Sequence, residues 1–203
     1  LHGAAAQGRE VGGSGGGLMR HFLKLGDGID PLPALLQLQD NADLWDAYRA
    51  RTEHEGSPHA GVYDIWIRYR DRAELTEPKA FIEPHHAVWW PAWNKLPALR
   101  PIVFLLAAKC EATAIGGVFI TRIRPGGRVL PHDDAYSWHA QHYNRKVYVP
   151  LAGNGRCINR VEHEEVVMGV GSAWLMNNLV EHEVRNEGDS DRITLIACYR
   201  GEG

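Results

Sequence analysis

Three residues of this 203-residue chain have the types and the spacing to share one metal ion. His132 and Asp134 stand in Val129-Leu130-Pro131-His132-Asp133-Asp134, and His182 follows far downstream. On an extended strand, side chains two apart share a face, so His132 and Asp134 are expected to point into one cavity while Asp133 points away. Pro131 limits regular pairing at that strand end, which places the motif where the chain leaves a sheet. His182 opens a later strand, after a Gly169-Val170-Gly171-Ser172 turn and the Ala173 to Asn178 stretch. Two imidazoles and one carboxylate on one face of an octahedral ion leave three positions open, the set that suits ferrous iron. By itself a His-x-Asp pair is explained equally well by a surface turn, and it gains weight only from the downstream histidine.

A second pair points to an acidic ligand. Arg192 and Thr194 alternate with Ile196 on one strand face, and an arginine aimed into an apolar barrel is costly unless it meets an anion. The planar guanidinium suits a carboxylate held through two hydrogen bonds, and the Thr194 hydroxyl can donate to the same group. The competing explanation is an internal ion pair with Asp191 or Glu183.

The elements that must position these residues are legible in the periodicity. Pro31 to Arg51 carries apolar residues at Leu35, Leu36, Leu38, Leu44, Trp45 and Tyr48, which predicts two short helices, the second capped by Asp40 or Asn41 and beginning near Ala42. Val62 to Tyr69 alternates as a strand, His85 to Trp93 reads as an aromatic packed loop, and Leu96 to Cys110 is helical. Beyond Gly116, β-rich runs follow one another: 117–124 and 129–132 as a first pair about a Pro125-Gly126-Gly127 turn, then 145–151, 155–161, 165–170, 172–177, 182–186 and 192–199. About eight strands at this spacing predict a mainly β fold with flanking helices. The expected architecture is a double-stranded β-helix, the cupin-like jelly roll, with the helices on one outer face.

Composition sets outer bounds. The length suits one domain, expected over 18–203, with a mixed helical part over 18–115 and the β core over 116–200. Residues 1–17 are rich in Gly and Ala and read as a flexible tail. A net charge of −3 argues against a broadly basic nucleic-acid surface. The three cysteines form no CxxC pair, so neither a disulfide framework nor a zinc ribbon is expected, and a reducing cytoplasm is the simplest compartment. No apolar run approaches the roughly 18 residues of a membrane span, and no signal peptide is recognisable. Nothing in the sequence assigns an oligomeric state.

From about Gly116 to Tyr199 the chain resembles the 2-oxoglutarate- and Fe(II)-dependent dioxygenases, and among them the aspartyl/asparaginyl β-hydroxylase group. The resemblance is carried by Leu130-Pro131-His132-Asp133-Asp134, Asn144-Arg145-Lys146-Val147-Tyr148-Val149-Pro150-Leu151, Ala173-Trp174-Leu175-Met176-Asn177-Asn178, His182-Glu183-Val184-Arg185-Asn186 and Asp191-Arg192-Ile193-Thr194-Leu195. It implies that His132, Asp134 and His182 hold Fe(II), that Arg192 takes the distal carboxylate of 2-oxoglutarate, and that Arg145 lies near this cosubstrate. It also implies O2-dependent hydroxylation of an amino-acid side chain, free or in a peptide, with release of succinate and CO2. The chain departs from the animal membrane-anchored members in having Asp134, since those lack the iron-binding carboxylate. Rival functions on the same fold are a cupin-like protein that binds a small acid without oxidising anything and a metal-dependent isomerase.

The remaining candidates are weaker. Tyr136 and Trp138 follow the metal motif and are expected to line a substrate pocket or to pack over its rim. His139 and His142 are expected to be solvated loop imidazoles, His85, His86 and His163 structural or exposed, and Lys146 and Arg156 strand-edge charges.

Overall fold

The apolar alternation of the carboxy-terminal half is the driving pattern of the fold. In the last strand, Ile193, Leu195, Ala197 and Tyr199 pack into the largest core cluster, while Arg192, Thr194, Ile196 and Cys198 point the other way. The computed structural model describes residues 21–202, so the expected flexible tail at 1–17 lies outside the described residues.

Two antiparallel sheets face each other, as the sequence predicts. The larger has seven strands: β1 (Phe22–Gly26), β2 (Tyr63–Tyr69), β3 (Val88–Trp89), β4 (Ala112–Ile123), β6 (Arg145–Ala152), β9 (Ala173–Met176) and β11 (Arg192–Gly201), in the order β1-β9-β6-β11-β4-β2-β3. The smaller holds β5 (Arg128–His132), β7 (Cys157–Val161), β8 (Glu164–Val167) and β10 (His182–Asn186), in the order β5-β10-β7-β8. The fold is thus the cupin-like jelly roll.

One local expectation fails. The runs on either side of Pro125-Gly126-Gly127 do not pair with each other, because the turn carries the chain from the large sheet (β4) to the small one (β5). The tight turn is held instead by β10: Gly126 N–H donates to Asn186 O at 2.9 Å, Asn186 N–H to Gly127 O at 3.0 Å, and the Asn186 amide to Ile123 O at 2.9 Å. Turn residues announce a reversal, but not which sheet receives the outgoing strand.

Helices cover one face of the large sheet. α1 (Leu32–Asp40) buries Ala34 and Leu38, and α4 (Leu99–Lys109) buries Leu99, Ile102, Val103 and Leu106, an i, i+3, i+4, i+7 stripe. Between them lie the one-turn α2 (Ala50–Glu53) and α3 (Ala92–Lys95). The helix expected from Ala42 is only a 3-10 turn over Ala42–Leu44, and Asn41 makes no side-chain cap. The aromatic segment 85–93 is mostly loop, with β3 as a two-residue edge strand inside it. The Tyr199 hydroxyl donates to Val103 O at 2.8 Å, tying β11 to α4 from the side away from the other sheet. All three cysteines are buried and form no disulfide, and among the described residues no helix is long and apolar enough to cross a membrane.

α1 and α4 therefore support the sheet from outside, whereas the short α2 sends Arg51 to the cavity between the sheets. Leu106→Ala is expected to cost about 2–5 kcal/mol of stability, because it opens a cavity at a fully buried position. Urea unfolding would measure that loss, and metal affinity of the folded variant should be unchanged.

Candidate metal centre and cavity

His132 ends β5 and His182 begins β10, and the two are direct cross-strand partners with ring centroids 4.3 Å apart. Each imidazole is oriented in the same way. Nδ1 of His132 lies 2.8 Å from Leu130 O, and Nδ1 of His182 lies 2.9 Å from Val180 O. A carbonyl can only accept, so both Nδ1 atoms carry the proton and both Nε2 lone pairs are left for a metal. Asp134 sits two residues past His132, with Oδ1 3.7 Å from His132 Nε2 and Oδ2 4.0 Å from His182 Nε2. One ligand atom from each of the three lies within 4.8 Å of the others, which fits the facial set expected from the sequence.

The carboxylate is locked by two donors. Lys146 Nζ and Asn178 Nδ2 each lie 2.7 Å from Oδ2, and the Asp134 N–H donates to Asn178 O at 2.9 Å. Burial alone would push the Asp134 pKa up, but the ammonium of Lys146 and the neighbouring imidazoles hold it far below the usual carboxylate range. Burial likewise disfavours the charged Lys146, and Asp134 beside it more than compensates, so the ammonium persists. His182 is pushed down to about 4, first by burial and then by Lys146, and His132 is lowered by burial. Near neutral pH the centre thus offers one anion and two neutral imidazoles, the protonation states that ligation requires. Asp133 turns outward, its Oδ1 accepting from the Ala135 N–H at 3.0 Å, in keeping with strand alternation.

Arg192 and Thr194 lie on the inner face of β11. Arg192 is 2 % exposed, and its Nη2 donates to Oδ1 of the buried Asn159 at 2.8 Å. Among the described residues no carboxylate forms an ion pair with it. Glu183, weighed as its partner, faces outward from β10 and binds Arg160 at 2.7 Å. Burial pushes the Arg192 pKa down to about 10, so the guanidinium stays charged in an apolar setting without a counter-ion. Thr194 Oγ1 is buried and unpartnered beside it. A buried cation next to an orphaned hydroxyl is the surrounding a carboxylate would complete.

A cavity of about 770 Å³ opens in front of the metal residues. His132, Asp134, Lys146 and Asn178 line one side, and Trp66, Tyr69, Phe81 and Phe119 form an aromatic wall. Ile196 and Cys198 reach it from β11, whereas Arg192 and Thr194 continue along that strand beyond the lining residues.

Arg145, Tyr136 and Trp138, also expected at the site, lie away from both this cavity and the Arg192–Thr194 pair. Arg145 shares the face of Val147 and Val149 and reaches Glu202 O at 3.3 Å, so Lys146, expected only as an edge charge, faces the centre instead. Tyr136 is 86 % exposed. Trp138 stacks on His142 at 4.3 Å and lines a separate depression with His142 and Arg200. His139 is also not a solvated loop residue. It is buried in α5 (Trp138–His142), where the Gly117 N–H donates to its Nε2 at 3.0 Å and its Nδ1 meets His85 Nε2 at 3.2 Å, with His85 Nδ1 2.9 Å from Glu83 O. The donors at one end and the carbonyl at the other fix both imidazoles as neutral. The Lys146 position was readable from the sequence, since apolar Val147, Val149 and Leu151 assign the opposite face to Lys146 and Tyr148. Asn178 and His59 arrive through a turn and a loop and left no periodic signal, whereas Asn159 lies on β7, where alternation with Cys157 and Val161 assigns it to the inner face.

Set on two facing sheets, this centre has the form of a mononuclear metal oxygenase. The chain belongs to the aspartyl/asparaginyl β-hydroxylase family, whose model matches residues 91–200, and so to the 2-oxoglutarate- and Fe(II)-dependent oxygenases, which are oxidoreductases. No curated protein sequence matches it. Among solved structures it is similar to a viral collagen prolyl hydroxylase from Paramecium bursaria Chlorella virus-1 in complex with 2-oxoglutarate, with a TM-score of 0.51 and 9 % identity over 90 % of this chain and 97 % of that one. A 2OG-Fe(II) oxygenase family oxidoreductase from Burkholderia pseudomallei matches with a TM-score of 0.48 and 17 % identity, over 68 % and 67 % of the two chains. A cupin domain from Bordetella pertussis Tohama I matches with a TM-score of 0.34 and 21 % identity, over 44 % and 85 %.

Asn178→Ala removes one of the two donors to Asp134 and should weaken Mn(II) or Co(II) binding about 10–100-fold in a metal titration, without unfolding the protein. A second expectation concerns pH. Burial lowers the pKa of His139 and of His85, so between their folded values and the unfolded value near 6.5 the unfolded chain binds more protons. Stability should therefore fall as pH drops below about 6.5, by up to about 1.4 kcal/mol per pH unit for each imidazole. Urea midpoints at neutral and acid pH test this, and His139→Gln should flatten the dependence.

Proposed function

We propose that the chain is an Fe(II)- and 2-oxoglutarate-dependent dioxygenase that hydroxylates an unactivated C–H bond of an amino-acid side chain, free or in a peptide. The observation that carries this proposal is the conjunction of the His132, Asp134 and His182 ligand set with a buried Arg192 that has no counter-ion. In this assignment His132, Asp134 and His182 hold iron, and Arg192 with Thr194 holds the distal carboxylate of 2-oxoglutarate. Bound iron and 2-oxoglutarate supply the oxidant: one atom of O2 enters the substrate as hydroxyl, and the other enters succinate as CO2 leaves.

The protein's own part is positional. Nδ1 hydrogen bonds to Leu130 O and Val180 O fix both imidazole rings, and Lys146 with Asn178 holds Asp134 ionised and still. The aromatic wall keeps water away from the reacting face and presses the substrate toward the metal side.

Oxygen-dependent succinate formation from 2-oxoglutarate and Fe(II) is the direct assay. It separates this function from a small-acid binder and from an isomerase, neither of which consumes O2. Asp134→Ala should abolish turnover, and retained succinate formation in that variant would remove Asp134 from the ligand set. Arg192→Met should weaken 2-oxoglutarate binding by about 100-fold in calorimetry, the scale of losing a buried, charge-assisted bidentate contact. Unchanged affinity would place the cosubstrate elsewhere.

A further inference from the structure

Arg51, in the cavity wall, is held more firmly than its place in the one-turn α2 requires. Its Nε and Nη2 donate to Oδ2 and Oδ1 of Asp64 at 2.9 and 2.7 Å. Asp64 shares a strand face with Trp66, and its side chain is 0 % exposed. The guanidinium lies over the ring of Phe119, 5.4 Å from its centroid, and the Ser57 hydroxyl donates to the Arg51 carbonyl, which ties down the backbone. Burial disfavours the charge on Arg51, and Asp64 together with Asp134 more than compensates, so the cation persists. A buried ion pair is by itself a poor source of stability, because the desolvation of two charges offsets their attraction. It does fix where the arginine points.

That orientation leaves donors unused. A guanidinium carries five N–H groups, and the side-on pairing with Asp64 takes one on Nε and one on Nη2. One N–H of Nη1 and the second of Nη2 form the end of the fork, the edge that meets both oxygens of a carboxylate. Among the described residues Nη1 has no hydrogen-bond partner and is not sealed from solvent, and the side chain keeps 19 % of its surface exposed while lining the cavity. Charge balance favours an anion at this edge. Arg51 cancels Asp64 and Lys146 cancels Asp134, as a divalent metal would cancel the 2-oxoglutarate dianion, so the cation of Arg192 is left over. One negative charge on the substrate makes the loaded interior neutral, whereas a second cation would add to a charge already unpaired.

We propose, building on the oxygenase function above, that Arg51 determines substrate specificity: the free edge of its fork binds a carboxylate borne by the substrate, and Asp64 is the positioning residue that aims it. The substrate is then an organic acid anion. Its hydrocarbon part lies along Trp66, Tyr69 and Phe119, which share the cavity with Arg51, His132 and Asp134.

The test compares 3-phenylpropanoate with 3-phenylpropanamide, which share a shape and differ in charge. Both are titrated by calorimetry into the full-length chain saturated with Mn(II) and 2-oxoglutarate, so that the metal and Arg192 are already occupied. The propanoate is expected to bind about tenfold or more tightly than the amide. Arg51→Lys keeps a charge beside Asp64 but has no fork, and should weaken the propanoate about 3–10-fold while leaving the amide unchanged. Arg51→Gln combined with Asp64→Asn removes the cation without stranding a buried carboxylate, and should bring the two probes to equal affinity; if that double variant does not fold, Arg51→Lys carries the test. An amide that binds as tightly as the propanoate, no binding of either, or a preference that survives the variants overturns the proposal. Binding of 2-oxoglutarate is titrated before either probe, so failure of the oxygenase function shows there. In that event the probes are compared on the metal-free chain, where dependence on Arg51 still decides.

Discussion

The partly buried charge of Asp134 is the interaction on which the rest of the centre depends. A carboxylate between two sheets is tolerated only when its lone pairs are met by donors, and here Lys146 and Asn178 meet them from two different strands or their ends. Both donors act on Oδ2, which leaves Oδ1 as the oxygen free to ligate a metal. The clamp and the ion therefore do not compete for one atom. The fold serves this arrangement: β6 delivers Lys146 from the large sheet, the turn after β9 delivers Asn178, and the pairing of β5 with β10 brings the two histidines together.

Strand alternation divides labour across β6 and β11. One face of each strand, with Val147, Val149, Leu195 and Ala197, packs under the helices, and the other presents Lys146, Arg192 and Cys198 to the space between sheets. Polar residues can line the interior because the apolar ones on the opposite face already secure the sheet to α1 and α4. The same division appears in the small sheet, where Asn159 and Val184 face inward while Arg160, Glu183, Arg185 and Glu165 form an ion-pair ladder outside. That ladder removes Glu183 as a counter-ion for Arg192 and leaves the guanidinium available to a ligand.

Most of the jelly roll and its central residues was legible in the sequence because period-two alternation is local and strong. His132, Asp134, Asp133, Arg192 and Thr194 were all assigned a face by counting along a strand, and each lies on that face. The same counting from Val147 puts Lys146 on the inner face and Arg145, implied at the site by the resemblance alone, on the opposite one. What the sequence did not disclose came through non-periodic segments. Sheet membership of β5 depends on Asn186 capturing the 126–127 turn, and the burial of His139 depends on the Gly117 N–H and on a loop histidine, His85. Such contacts join residues far apart in the chain through single hydrogen bonds, with no repeat along the sequence to reveal them.

The aromatic wall shows why substrate identity is harder to read than cofactor chemistry. His132, His182, Arg192 and Thr194 sit on regular strands, where type and spacing are informative, but Trp66, Tyr69, Phe81 and Phe119 come from two strands and a short 3-10 turn. Their mutual packing, with Trp66 stacked on Trp90 at 5.2 Å and meeting Phe119 edge-on at 4.9 Å, would suffice to explain them as ordinary core. They also line the cavity in front of His132 and Asp134, where a bound group would meet them. A wall that is rigid because its rings brace one another can hold an apolar substrate group still, and the hydrogen removed must be held still if the oxidising atom is to reach it and not a neighbour.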